Sequence, residues 1–178
     1  MEENNTNGLL AYHYLAAEQL GAEINVQAHS GWGILYDTSG NKSDLWPNYY
    51  NKFTDLSTTY DMSYDADVIV INLGTNDTSG ISKEADFKNT FADVTVKWVK
   101  KLLSHNADAK VVLSYGMMGQ NSNVIEGYEK AVTTLKAEGF NNVYYFTYTG
   151  GYDGGGHPGK ADHIANGKVL ANFISSII

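Results

Sequence analysis

The chain has 178 residues, 43% hydrophobic and 18% charged, a composition that fits one soluble globular domain over 1–178 and excludes a disordered or coiled-coil protein. Twelve Lys and Arg against 20 Asp and Glu leave a net charge of -8, which repels phosphate backbones and anionic lipid, so neither nucleic acid nor membrane is an expected partner. With no cysteine there is no disulfide framework, no thiolate nucleophile and no Cys-ligated metal.

Leu9, Leu10, Tyr14, Leu15 and Leu20 recur at helical spacing and stop at Gly21, which predicts an opening helix with a glycine C-cap. Ile24, Val26 and Ala28 then alternate with polar neighbours, the pattern of a short strand that runs into the turn Ser30-Gly31-Trp32-Gly33. Residues 36–64 are rich in Asp, Asn, Ser, Thr and aromatics, and are expected to be irregular with a short helix near 47–53. From Val68 to Leu73 the apolar run is nearly continuous, the signature of a strand buried on both faces of a parallel sheet. Helical periodicity over 83–104, a strand over 110–115, a helix over 122–138, a strand over 143–146 and a last helix over 158–177 with Pro158 in its first turn complete the chain. Strand and helix alternate to the end, which predicts an open α/β parallel sheet with helices on both faces and a site beyond the carboxyl ends of the strands.

Three segments fall at those ends. Gly31 would let a backbone N–H approach a ligand, with Trp32 and Tyr36 beside it, although an ordinary tight turn reads the same way. Gly74-Thr75-Asn76-Asp77 follows the strongest strand, where the Asn76 amide can donate to a developing oxyanion while Asp77 braces the loop. Asp153-Gly154-Gly155-Gly156-His157-Pro158 delivers an imidazole to the mouth of the last helix, where it can serve as general base with Asp153 or a backbone carbonyl orienting it. The other histidines suit structural or solvated roles, and His29 should point to the opposite side of its strand from Ser30. His157 and His163 are six apart, not the i, i+4 spacing of two ligands on one helix face, so no metal is expected.

Taken in this order, the segments resemble the SGNH hydrolase superfamily of the GDSL type, and within it the catalytic domain of carbohydrate esterase family 2. The resemblance implies a three-layer, flavodoxin-like fold and a carbohydrate O-acetyl esterase, without cofactor, acting outside the cell on acetylated polysaccharide or oligosaccharide such as xylan or glucomannan. It assigns the Gly31 N–H and the Asn76 side chain to the oxyanion hole and His157 to the base, with Asp153 as a possible third member; Gly154 stands where the wider superfamily has an Asp. It also implies a nucleophile in a Gly-Asp-Ser block at the end of a first strand, and no Gly-Asp-Ser occurs in this sequence. The expectation is that this strand and its Ser lie before Met1 and that activity is impaired without them; the other reading makes Ser30 the nucleophile. A cleft rimmed by Trp32, Tyr36, Trp46, Tyr148 and Tyr152 would offer flat faces to sugar rings, which keeps open a non-catalytic carbohydrate-binding domain or pseudoenzyme.

Overall fold

The computed structural model describes residues 7–43, 45–52, 56–148 and 156–178. The chain divides into two packed units, one made of Met1–Val26, Gly116–Gly119 and Thr147–Ile178, the other of Gln27–Tyr115 and Gln120–Phe146.

The larger unit is built on strands β1 (Val68–Asn72), β2 (Lys110–Tyr115) and β3 (Val143–Thr147, whose last residue falls in the other unit), in the order β1-β2-β3. The pairing is parallel, with Val68 opposite Lys110 and Asn72 opposite Ser114. Parallel neighbours need crossovers, and the amphipathic helices α3 (Phe87–Leu103) and α4 (Ser122–Ala137) supply them. Phe87, Phe91, Trp98, Val99 and Leu102 form the inward stripe of α3, and Val124, Tyr128, Ala131 and Leu135 that of α4. Both stripes join Ile71, Val111, Leu113 and Val143 of the sheet in one core. The ring of Phe91, with no exposed surface, meets Tyr128 edge-on at 5.0 Å; burial of one such ring contributes about 1.5–3 kcal/mol.

Two expectations about strands are corrected. Residues 22–29 form no strand: they make no ladder hydrogen bond with any described residue, and all but Ile24 are exposed. Alternating side chains favour extended backbone, yet a strand also needs a neighbouring backbone to answer its N–H and C=O groups. The run 68–72 is a strand, as read, but not one buried on both faces. Among the described residues it is an edge strand, only Ile71 in it is buried, and Val70 is 36% exposed. The short helix comes out as α2 (Trp46–Tyr49), with Pro47 in its first turn.

In the smaller unit, a 3-10 turn at Gly8–Leu10 leads into α1 (Tyr12–Leu20), closed by Gly21 as expected. This helix packs along α5 (Lys160–Ser175), to which it is tied by Gln19 Nε2 donating to Asn172 Oδ1 at 3.1 Å. Pro158 stands just ahead of α5 rather than in its first turn; Gly159 is the N-cap, and its N–H donates to the Asp162 carboxylate at 2.8 Å.

Candidate active site

Where β1 ends, the chain turns through Gly74 and enters a 3-10 stretch, Asn76–Lys83. Its second residue, Asp77, has no exposed surface, and its carboxylate holds three successive backbone N–H groups of the loop after Gly31. Oδ1 accepts from Ile34 at 3.0 Å, Leu35 at 2.6 Å and Tyr36 at 2.9 Å, and Oδ2 accepts from Ile34 at 3.1 Å. Consecutive N–H groups converging on one anion form a nest, here closed by a side chain rather than by a ligand. Burial pushes the Asp77 carboxyl up from its ordinary value, while the N–H groups of Leu35, Tyr36 and Ile34 pull the other way. Gly33 is required by this closeness, because an added Cβ would lie against the Tyr36 carbonyl and the Asp77 carboxylate.

Asn76 completes the junction. Its amide Nδ2 donates to the Trp32 carbonyl at 2.9 Å, so the Gly31 segment and the Gly-Thr-Asn-Asp segment are stapled together by neighbouring side chains of one turn. Gly31 is half-buried with φ 81°; its carbonyl accepts from Thr38 N–H at 2.8 Å, and its own N–H has no acceptor among the described residues. One amide hydrogen of Asn76 is used on Trp32; an amide carries a second, which is chemically able to donate to an oxyanion. Ser30 is exposed, and among the described residues its hydroxyl contacts no imidazole; the 3.0 Å contact with His29 Nδ1 is made by its carbonyl oxygen.

The aromatic rim is corrected in part. Tyr36 is 4% exposed and lies in the core, stacked on Phe87 with its hydroxyl donating to Glu84 at 3.1 Å and the Lys42 ammonium 4.8 Å from the ring centre. Trp32 is 5% exposed, enclosed by Trp46, Tyr49 and the ring of His29, which stacks on it at 4.1 Å. Neither ring offers an open face, because the Asp77 bonds draw this loop inward. His29 does not point away across a strand but covers Trp32. Trp46 is half-buried, and Tyr148 is buried with Tyr12 edge-on at 5.7 Å. Asp153 and Tyr152 lie outside the described residues. His157 is exposed, in the bend that precedes α5. Among the described residues no cluster of three or more His, Asp or Glu side chains is placed to hold a metal ion.

The acceptor role of Asp77 toward residues 34–36 was only half legible, since backbone donors carry no residue identity. Its one signal was a Gly at position 33, small enough for a carboxylate to approach.

No protein-family model matches the chain. In sequence it is 31% identical over 183 residues to the acetylxylan esterase / glucomannan deacetylase of Cellvibrio japonicus, covering 95% of this chain and 49% of that protein. The chain thus spans about half the length of this relative. In structure it matches a family two carbohydrate esterase from Clostridium thermocellum, solved in complex with cellohexaose, with a TM-score of 0.85 and 26% identity over 97% of this chain and 55% of the other. A GDSL-like lipase from Bacteroides ovatus shares the fold at a TM-score of 0.72 and 15% identity, covering 99% of this chain and 83% of that one. The resemblance carried by the motifs therefore holds: this chain has the SGNH hydrolase fold, and it is similar in sequence and structure to the family 2 carbohydrate esterases.

Proposed function

We propose that the chain is the SGNH-type domain, over 1–178, of an extracellular esterase that removes O-acetyl groups from polysaccharide such as xylan or glucomannan. The observation that carries this reading is the stapled junction of the two oxyanion segments: Asn76 bonded to Trp32, Asp77 bonded to 34–36, and the Gly31 N–H left without a protein acceptor among the described residues. The likeness to the Cellvibrio japonicus deacetylase supports the choice of substrate class.

In the proposed reaction, a serine hydroxyl attacks the acetyl carbonyl and loses its proton to His157. The tetrahedral oxyanion is held by the Gly31 N–H and the Asn76 amide. The sugar oxygen leaves with the proton from His157, and water, deprotonated by the same imidazole, hydrolyses the acetyl-enzyme to acetate and free serine. Asp153 is the possible orienting third member, and the serine belongs to a Gly-Asp-Ser block outside these 178 residues. Of the aromatics, Trp46 keeps a proposed role at the sugar, as does Tyr152; Trp32 and Tyr36 do not, because both are buried.

A second reading, a non-catalytic carbohydrate-binding domain, is favoured by the solved complex of the Clostridium thermocellum esterase with cellohexaose. Assays of 4-nitrophenyl acetate and acetylated xylan hydrolysis, with calorimetric titration of cellohexaose, separate the cases. The chain alone is expected to hydrolyse esters barely above background, and the chain carrying the Gly-Asp-Ser strand to be active and to lose several orders of magnitude with His157→Ala. Activity of the isolated chain abolished by Ser30→Ala makes Ser30 the nucleophile. Activity indifferent to His157→Ala removes the mechanism, and cellohexaose binding with no hydrolysis in either form establishes the second reading.

A further inference from the structure

The first turn of α1 lacks its own cap. An α-helix leaves its first N–H groups without intrahelical acceptors, and a Ser, Thr, Asp or Asn at the N-cap normally answers one of them. Here the N-cap is Ala11, which offers no side-chain acceptor. The Tyr12 N–H donates instead to His163 Nδ1, at 3.2 Å, from the first turn of α5. The two rings lie nearly parallel, 9° between planes with centroids 6.1 Å apart, and Tyr12 is braced edge-on by His13 at 5.1 Å. An imidazole accepts a hydrogen bond only through an unprotonated nitrogen, so this contact requires His163 neutral, with its proton on Nε2. A protonated ring would also set a positive charge against the positive end of the α1 dipole.

We propose that His163 is a pH-sensitive latch: as a neutral imidazole it caps the first turn of α1 from α5, and on protonation it lets that turn go. Among the described residues, the charged and titratable groups facing it are His13 from α1 and Asp162 on its own helix, whose carboxylate is held by the Gly159 N–H; the Gly8–Leu10 turn brings none. Glu18 and Lys168 lie in the groove between the same helices. Partial burial holds His163 below the ordinary 6.5 against the opposing pull of Asp162, and burial together with His163 itself holds His13 down as well. The sign follows: a histidine whose folded value is depressed adds stability above its unfolded value of 6.5 and loses it as pH falls through the folded value. The latch is closed at neutral pH and opens in acid, independently of the ester chemistry. The turn it releases on the α5 side is the one that directly follows His157 and Pro158.

The test is an NMR titration of the 178-residue chain from about pH 8 to about pH 5, following the His163 ring protons and the Tyr12 amide together. Expected are a His163 midpoint below 6.5 and a Tyr12 amide shift with the same midpoint. His13→Asn should leave His163 titrating below 6.5, since burial rather than His13 holds it down, and keep the Tyr12 amide coupled to it. His163→Asn, which keeps an acceptor oxygen near the Nδ1 position and cannot titrate, should hold the Tyr12 amide shift constant over the range and lose less Tm on acidification than wild type. A His163 midpoint at or above 6.5, or a Tyr12 amide that does not follow it, overturns the proposal; the wild-type titration decides this even where a variant fails to fold.

Discussion

Replacing Asp77 tests whether one buried carboxylate holds the two site segments together. In Asp77→Ala the N–H groups of Ile34, Leu35 and Tyr36 lose their acceptor, and these residues are 0%, 3% and 4% exposed, so water reaches them poorly. An orphaned buried donor costs about 1–3 kcal/mol, so three give roughly 3–9 kcal/mol, with loop relaxation favouring the lower half of that range. Against a domain stability of about 5–15 kcal/mol, the variant is expected to be partly or wholly unfolded. Asp77→Asn is the finer probe, since Oδ1 accepts from all three groups and Oδ2 only from Ile34. An Asn oxygen placed at Oδ1 keeps the three bonds but turns an NH2 toward the Ile34 N–H, donor against donor, and loses the charge. We expect a cost of about 2 kcal/mol, clearly less than for Ala. Urea unfolding at neutral pH, with midpoint and slope fitted separately, measures both. An Ala variant within about 1 kcal/mol of wild type at unchanged slope, or an Asn variant as damaging as Ala, refutes the account of Asp77 as the clamp.

Gly33→Ala should destabilise by about 1–3 kcal/mol, because its Cβ would press on the Tyr36 carbonyl and the Asp77 carboxylate, whereas Gly8→Ala, with nothing near its Cβ, should stay within about 0.5 kcal/mol; thermal melts of the two rank them. Asp37 is held below the ordinary 3.8 chiefly by the Asn41 N–H at 2.9 Å, with the Ser39 N–H at 2.8 Å adding to it. A depressed carboxylate contributes stability above its unfolded value and loses it as pH falls through the folded one, so acid unfolding of Asp37→Asn should be flatter than wild type below pH 3.8 and no different in slope near neutrality.

The periodic segments were legible in the order of residue types. The apolar runs at 68–72, 110–115 and 143–147 became parallel strands, and the stripes of α3 and α4 became their cover, because period is set by neighbours a few positions apart. Of the candidate site, the turns that carry Gly31, Asn76 and Asp77 were legible, and so was the bracing of the loop by Asp77. What tertiary structure decided was every relation across some forty positions. Ile24, Val26 and Ala28 alternate as a strand does, but no backbone among the described residues pairs with them. Trp32 and Tyr36 look like exposed loop aromatics, but a carboxylate 41 positions beyond Tyr36 draws their loop into the core. Ala11 gives α1 no cap, and His163 supplies one from 151 positions beyond Tyr12. Local periodicity is a property of adjacent side chains, whereas the partner of a backbone N–H is whichever acceptor the fold brings to it.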